Sequence, residues 1–249
     1  MGGNDMLQPH IQLDESLNCK YAILPGDPAR VDRIAKYLDN VQELAFNREY
    51  KSVKGTYKGV SVVAISTGIG GASTTIALEE LRRIGVTHCI RIGSCGALRE
   101  GIGLGDLILV NGAVRDDGAS KSYVPIQFPA IPDTELLMHC IESARERDDR
   151  YHLGIVRTHD SFYVDDIKEI NEFWSGNGVV GSDMETATVF TVGKLRGMKV
   201  ASILNNVVVW GEDTSDSIGS YAGGEDLRAA GEREEILVAL EAFVKADQK

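Results

Sequence analysis

Apolar positions along this chain fall into short strand-like runs separated by stretches of helical spacing. Residues 20–24, 60–66, 86–92 and 106–114 are compact runs rich in β-branched and apolar side chains, which predicts strands. Residues 41–46 and 48–57 predict two more near the front, with Lys58-Gly59 as the turn that leads into 60–66. Residues 152–157 and 200–209 complete the set. Val31, Ile34, Ala35 and Leu38 recur at helical spacing, so a helix is expected over 31–38. Thr67-Gly68-Ile69-Gly70-Gly71 is a glycine-rich turn before a helix over 73–84. Further helices are expected over 133–147, with Asp133 as N-cap, over 182–195, and over 225–245. Strands and helices alternate, with additional hairpin material at the front. That order predicts an α/β protein with a mixed central sheet, helices outside, and sites in the loops at strand ends. No linker, composition shift or repeat divides the 249 residues, so a single domain over 1–249 is expected.

One position breaks the apolar pattern. Arg91 sits inside the run 86–92, where an unpaired charge costs several kcal/mol, on the order of the penalty for a buried ion. Gly93-Ser94-Cys95-Gly96-Ala97 follows it, small residues that let a ligand reach the backbone and that leave Ser94 as a hydroxyl donor. An anion at the strand end would satisfy Arg91. A buried ion pair with Glu79 or Asp106 would satisfy it equally well.

Composition narrows the classes. Hydrophobic residues at 43% and charged residues at 25% are ordinary for a globular chain. A net charge of −11 argues against nucleic acid or an anionic membrane as the main partner, and requires any anion site to be a local basic cluster. The first ten residues lack the apolar core of a signal peptide, and Met6 stands where a myristoylation motif needs Ser or Thr. No run approaches the roughly 20 apolar residues of a membrane span. Cys19, Cys89, Cys95 and Cys140 show no metal or redox spacing and read as free thiols. A cytoplasmic protein is expected.

Four further segments could carry chemistry. Pro25-Gly26-Asp27-Pro28-Ala29-Arg30 runs from a strand into a helix and offers backbone N–H groups and Arg30 to an anion, or is a structural turn with a solvated arginine. The glycine turn at 67–71 lacks the features of a P-loop or dinucleotide fingerprint. Ser182-Asp183-Met184-Glu185 matches a capping box, or supplies a carboxylate that grips a vicinal diol. Asp160-Ser161-Phe162-Tyr163 offers two aromatics to a planar base or to the core. His10 and Arg48 have no local partner in the sequence that explains them.

Taken in order, PGDPAR (25–30), NREY (47–50), STGIGG (66–71), RIGSCGA (91–97), DSFY (160–163) and SDMETA (182–187) resemble the hexameric-type nucleoside phosphorylase family. That family includes uridine phosphorylase and the bacterial and apicomplexan purine nucleoside phosphorylases. The resemblance covers nearly the whole chain and implies a three-layer α/β/α fold with a distorted mixed sheet. It implies that Gly26, Arg30, Arg91 and Ser94 hold phosphate, with Arg48 reaching in from a neighbouring subunit. Met184 and Glu185 would bind ribose, and His10 would be supplied by a neighbour to the ribose 5′ end. Phe162 and Tyr163 match the wall beside the base, and Arg91, Glu185 and Arg30 would carry catalysis. Glu49, Ile69 and Ser73 match a potassium site that some uridine phosphorylases carry at a subunit interface. The implied reaction is phosphorolysis of a nucleoside to free base and ribose 1-phosphate in nucleoside salvage, by a homohexamer built from dimers. Phosphate is a co-substrate, and no metal or organic cofactor is needed for bond cleavage.

The base side departs from both branches of the family. Purine-specific members carry an aspartate at the position taken here by Val207 or Val208. Uridine phosphorylases carry a Gln and an Arg where Asp166 and Lys168 stand. Because the purine acid is missing, the sequence leans towards uridine. Lys168, Asn205, Asn206 and Asp213 are candidate base contacts. The alternatives are a purine phosphorylase, a nucleosidase using water, and a nucleoside-binding relative without catalysis. Three arginines speak against the hydrolase.

Overall fold

The computed structural model describes residues 7–212 and 227–248. After a short 3-10 turn at Glu15–Leu17, nine strands are arranged as β1 Tyr21–Leu24, β2 Asp39–Asn47, β3 Tyr50–Tyr57, β4 Val60–Ile65, β5 His88–Ala97, β6 Leu107–Asp116, β7 Tyr151–His159, β8 Gly181–Asp183 and β9 Lys199–Val208. The helices of the described residues are α1 Pro28–Ala35, α2 Gly71–Arg83, α3 Gly118–Tyr123, α4 Thr134–Glu146, α5 Ile167–Gly176, α6 Thr186–Leu195 and α7 Leu227–Asp247.

All strands join one sheet in the order β2-β3-β4-β1-β5-β8-β7-β6-β9, and β5 also pairs with β9. The last four strands therefore curl back on β5, and parallel and antiparallel pairs are mixed. Central strands such as β1 are buried along their whole length, as expected when helices cover both faces. The edge strand β2 is mostly exposed and carries Asp39, Gln42 and Glu43, which discourage further pairing. Lys58 and Gly59 both have positive φ, at 48° and 87°, as a two-residue hairpin turn requires.

The core is split by the sheet. On one face Leu78 and Leu81 of α2 and Val189 and Phe190 of α6 pack against Val63, Cys95 and Ile108. On the other, Val31 of α1, Cys140 of α4 and Ile236 and Phe243 of α7 pack against Ile90, Ile92 and Ile203. This is the three-layer α/β/α arrangement. Asp133 caps α4 as expected, accepting from Leu136 N at 2.9 Å.

Three local expectations need correction. The strand at 86–92 does not stop at the glycines: β5 runs to Ala97, because β9 bonds it through Ser94 and Gly96 on one side while β8 holds Gly96 and Ala97 on the other. The helix expected from Ser182 begins at Thr186, and Ser182 does not form a capping box. Gly181–Asp183 is strand, and Asp183 Oδ2 accepts from Thr186 N at 2.9 Å. Two short helices, α3 and α5, escaped the periodicity. Arg115, on β6, holds α3 by donating to Ser120 O and Val124 O, and α5 buries none of its residues.

Candidate active site

Gly26 closes β1 against the glycine turn: Gly68 N donates to Gly26 O at 3.0 Å, and a Cβ on Gly26 would lie 3.1 Å from Gly68 O. The chain then enters α1 through Asp27, which accepts from Ala29 N at 2.8 Å. That cap aims Arg30 inward from the first turn. Arg30 is only 4% exposed, so the solvated-arginine alternative is wrong. Its Nη2 donates to Ser94 Oγ at 3.3 Å, joining α1 to β5.

Arg91 lies alongside β1, paired in register with Leu24. Its Nε donates to Asp183 Oδ2 at 3.0 Å, and Nη2 lies 2.5 Å from Glu185 Oε2. Neither partner suggested by the sequence is used: Glu79 pairs with Arg196, and Asp106 with Arg150 and His152. The guanidinium folds back over its own strand, where a Cβ on Gly93 would lie 2.7 Å from Arg91 Nη2. A side chain at 93 would therefore push the guanidinium off Asp183 and Glu185. Burial works against the Arg91 charge, but Glu185 and Asp183 outweigh it and hold its pKa above the ordinary arginine value.

Glu185 is held from two sides, since its Oε1 accepts the Gly70 N–H at 2.6 Å. Burial raises its pKa against the pull of Arg91. A carboxylate fixed in this way retains lone pairs for hydroxyl donors. Met184 stands half-buried beside it.

Three acids that the sequence pattern did not single out complete this network. Asp183 accepts from Arg91, from Thr158 Oγ1 at 2.6 Å and from the start of α6. Glu232 and Glu235 project from α7: Glu232 Oε2 accepts from Arg30 Nε at 2.9 Å, and Glu235 Oε1 lies 3.2 Å from Arg30 Nη1. Glu235 Oε2 accepts the Gly93 N–H at 3.1 Å. A signal for them exists, since both acids fall on the inward stripe of α7 shared with Ile236 and Ala239. The expected local basic cluster is thus also corrected. Among the described residues, two buried arginines face four buried carboxylates.

A second group gathers at the tip of the β2–β3 hairpin. Arg48 occupies the turn with φ 55° and is exposed. Asn47 Nδ2 donates to His10 O at 2.8 Å, so Arg48 and His10 share one surface. His10 Nδ1 is 2.6 Å from Glu80 Oε1, and Glu80 also accepts the His10 and Ile11 N–H groups. Glu80 is the partner the sequence did not reveal. Glu49 lies beside the glycine turn, where a Cβ on Gly68 would meet its Cγ at 2.8 Å. Ser73 Oγ donates to Ile69 O at 3.4 Å, so Glu49, Ile69 and Ser73 are neighbours with oxygen donors suited to a hard cation.

The base-side candidates are less tightly held. The Phe162 and Tyr163 rings meet edge-on at 4.8 Å, with Tyr163 84% exposed. Asp166 stands at the start of α5 without a capping bond, and Lys168 is exposed on that helix. Val208 is buried and pairs in register with Gly96, and Val207 is buried beside it. Asn205 and Asn206 are withdrawn as base contacts. Both are fully buried, and their amides donate to Arg228 O at 2.7 Å and Gly103 O at 2.9 Å. Asp213 lies outside the described residues. Among those described, no helix is long and apolar enough to cross a membrane.

Comparison with known proteins agrees with this architecture. The Phosphorylase superfamily family model matches residues 20–229. A uridine phosphorylase of Thermococcus kodakarensis is 38% identical, with 95% of this chain and 85% of that protein covered. A guanosine phosphorylase of Halorubrum lacusprofundi is 37% identical, over 84% of this chain and 88% of that protein. The crystal structure of uridine phosphorylase from Vibrio fischeri ES114 superposes with a TM-score of 0.90 at 43% identity, covering 98% of this chain and all 100% of that one. The chain therefore belongs to the phosphorylase superfamily, and it is a nucleoside phosphorylase, a pentosyltransferase acting on a nucleoside and phosphate.

Proposed function

We propose that uridine is the preferred nucleoside and that Gly26, Arg30, Arg91 and Ser94 receive the phosphate. The observation that carries this reading is the hydrogen-bonded series from Arg30 through Ser94, with Arg91 and Glu185 paired beside it, at the C-terminal ends of β1 and along β5. Phosphate attacks C1′ as the bond to the base breaks, through a transition state with oxocarbenium character. Arg30 and Arg91 orient the dianion and stabilise the charge that passes from it. Glu185, held by Gly70 N–H and Arg91, accepts from the ribose hydroxyls, with Met184 against the sugar. The base leaves as an anion in need of donors. Lys168 supplies one, with Asp166, Phe162, Tyr163, Val207 and Val208 around the ring.

His10 and Arg48 act on a neighbouring subunit's site in a homohexamer built from dimers. The exposed Arg48 with the half-buried His10 bonded to the adjoining Asn47 supports this reading. Glu49, Ile69 and Ser73 would hold potassium at that interface. Uridine is preferred because Val207 and Val208 stand where a purine enzyme needs an acid. Similarity to a guanosine phosphorylase favours a second reading, purine phosphorolysis. A panel of uridine, thymidine, inosine and adenosine, each with and without phosphate, tests both. Release of base should require phosphate and be fastest from uridine. Fastest release from inosine would transfer the assignment to purines, and release at equal rates without phosphate would overturn the assigned phosphate site.

A further inference from the structure

Glu235 is an unusual neighbour for an anion site. It is fully buried on α7, with Oε2 accepting the Gly93 N–H at 3.1 Å and Oε1 lying 3.2 Å from Arg30 Nη1. Oε1 takes part in no hydrogen bond among the described residues. The charged and titratable groups facing Glu235 are Arg30 from α1, Arg91 and the Cys95 thiol from β5, and Glu232 from its own helix. Elsewhere α7 packs on α4 and β9 through apolar side chains such as Leu136, Cys140, Ala201 and Ile203, and through the ion pairs Glu234–Arg147 and Lys245–Glu146. Arg33, half-exposed on α1, adds its charge only through Glu232.

The balance of charge is the difficulty. Arg30 and Arg91 already face Asp183, Glu185, Glu232 and Glu235, all nine-tenths or more buried. A phosphate dianion on Arg30 would add to an excess of negative charge in a medium that screens poorly. Three of the four acids are closely paired with arginine. Asp183 and Glu185 are bonded to Arg91, and Glu232 is bonded to Arg30 and Arg33. Glu235 has the longest arginine contact of the four, at 3.2 Å, and its Oε1 makes no hydrogen bond among the described residues.

Building on the phosphate site assigned above, we propose that Glu235 is a positioning residue that competes with phosphate for Arg30 and takes up a proton from solvent when the dianion binds. The proton goes to Oε1, so the Gly93 bond to Oε2 persists and β5 keeps its place. Protonation frees the face of Arg30 that Glu235 had claimed and removes one negative charge from beside the dianion. Burial already pushes the Glu235 carboxyl up to about 8, so the proton is cheaply acquired. No other reactant is involved.

Sulfate tests this, because it stays dianionic across the range in which phosphate itself titrates. Sulfate binding to the full chain is measured by calorimetry in buffers of different ionisation enthalpy. Above the Glu235 pKa, the wild type should take up about one proton per sulfate bound, and affinity should fall about tenfold per pH unit. Well below that pKa, uptake should vanish. Glu235→Gln keeps the shape and the Gly93 bond, so it should bind sulfate with no uptake and a flat pH profile. Sulfate binding without proton uptake in the wild type, or with the same uptake in E235Q, would overturn the role of Glu235 and leave the phosphate site standing. Sulfate binding that is absent, or indifferent to Arg30→Ala, would instead remove the phosphate site and this proposal with it. The wild-type measurement decides the matter even if E235Q does not fold.

Discussion

Arg91 is 4% exposed and held on two sides by acids of its own chain, whereas Arg48 stands exposed on a hairpin tip with no ion pair among the described residues. Each carries a charge suited to phosphate. The first belongs to a network in which β1, β5, β8, α1 and α7 fix one another's polar groups. The second belongs to a surface beside the half-buried His10, which Glu80 and Asn47 hold. Buried charge must be settled within the chain, because leaving it unpaired is too costly for a marginally stable fold. Exposed charge costs little to leave without a partner and can be completed by another molecule. A site built from both kinds is preorganised on one side and assembled on the other.

Removing Arg91 should break the first side hardest. Arg91→Ala is expected to lower kcat/KM by about 10³ through lost transition-state stabilisation. It should also lower stability by about 3–5 kcal/mol, because Asp183 and Glu185 are left as buried charges without their cation. Steady-state kinetics and denaturant unfolding measure the two effects. A variant that loses activity with undiminished stability would mean that the Arg91 pairs are not holding the fold.

Arg48→Ala should behave differently, raising the phosphate KM about tenfold with the unfolding midpoint unchanged. Mixing it with Glu185→Gln sharpens the comparison. If Arg48 serves a neighbour, mixed oligomers regain intact sites with the wild-type phosphate KM, which neither variant shows by itself. No recovery would confine Arg48 to its own chain.

The smallest effect concerns pH and stability. The Glu235 carboxyl is raised from 4.5 to about 8 in the fold, so the folded chain holds a proton that the unfolded chain releases. Its contribution to stability is complete below the unfolded value, declines as pH rises, and is lost above about 8. Glu235→Gln has no such proton. Its melting temperature relative to wild type should therefore climb from pH 4.5 to about pH 8 and level off above that. Parallel melting profiles across this range would show that the carboxyl is not held neutral by its surroundings.

Much of the arrangement was legible in the chain. Buried strands read as apolar runs, Asp133 and Gly26 marked real boundaries, and Arg91 announced itself by interrupting a strand. What misled was local chemistry with two outcomes. Ser182 to Glu185 satisfies a capping box on paper, yet pairing with β5 and β7 draws 181–183 into the sheet and gives the capping role to Asp183. Asn205 and Asn206 looked like recognition groups until their amides proved to be spent on backbone carbonyls.

By itself the sequence determined the alternation of strands and helices, the glycines beside the anion site, and a strand arginine that needed a partner. These follow from periodicity, steric space and the cost of burying charge, which act over a few residues. Only the tertiary structure decided who answers Arg91. Asp183 and Glu185 lie 92 and 94 positions away, and Glu232 and Glu235 reach Arg30 from across 202 and 205. Pairing over such distances is set by which strands lie side by side and which helix covers them, so neighbouring residues carry no record of it.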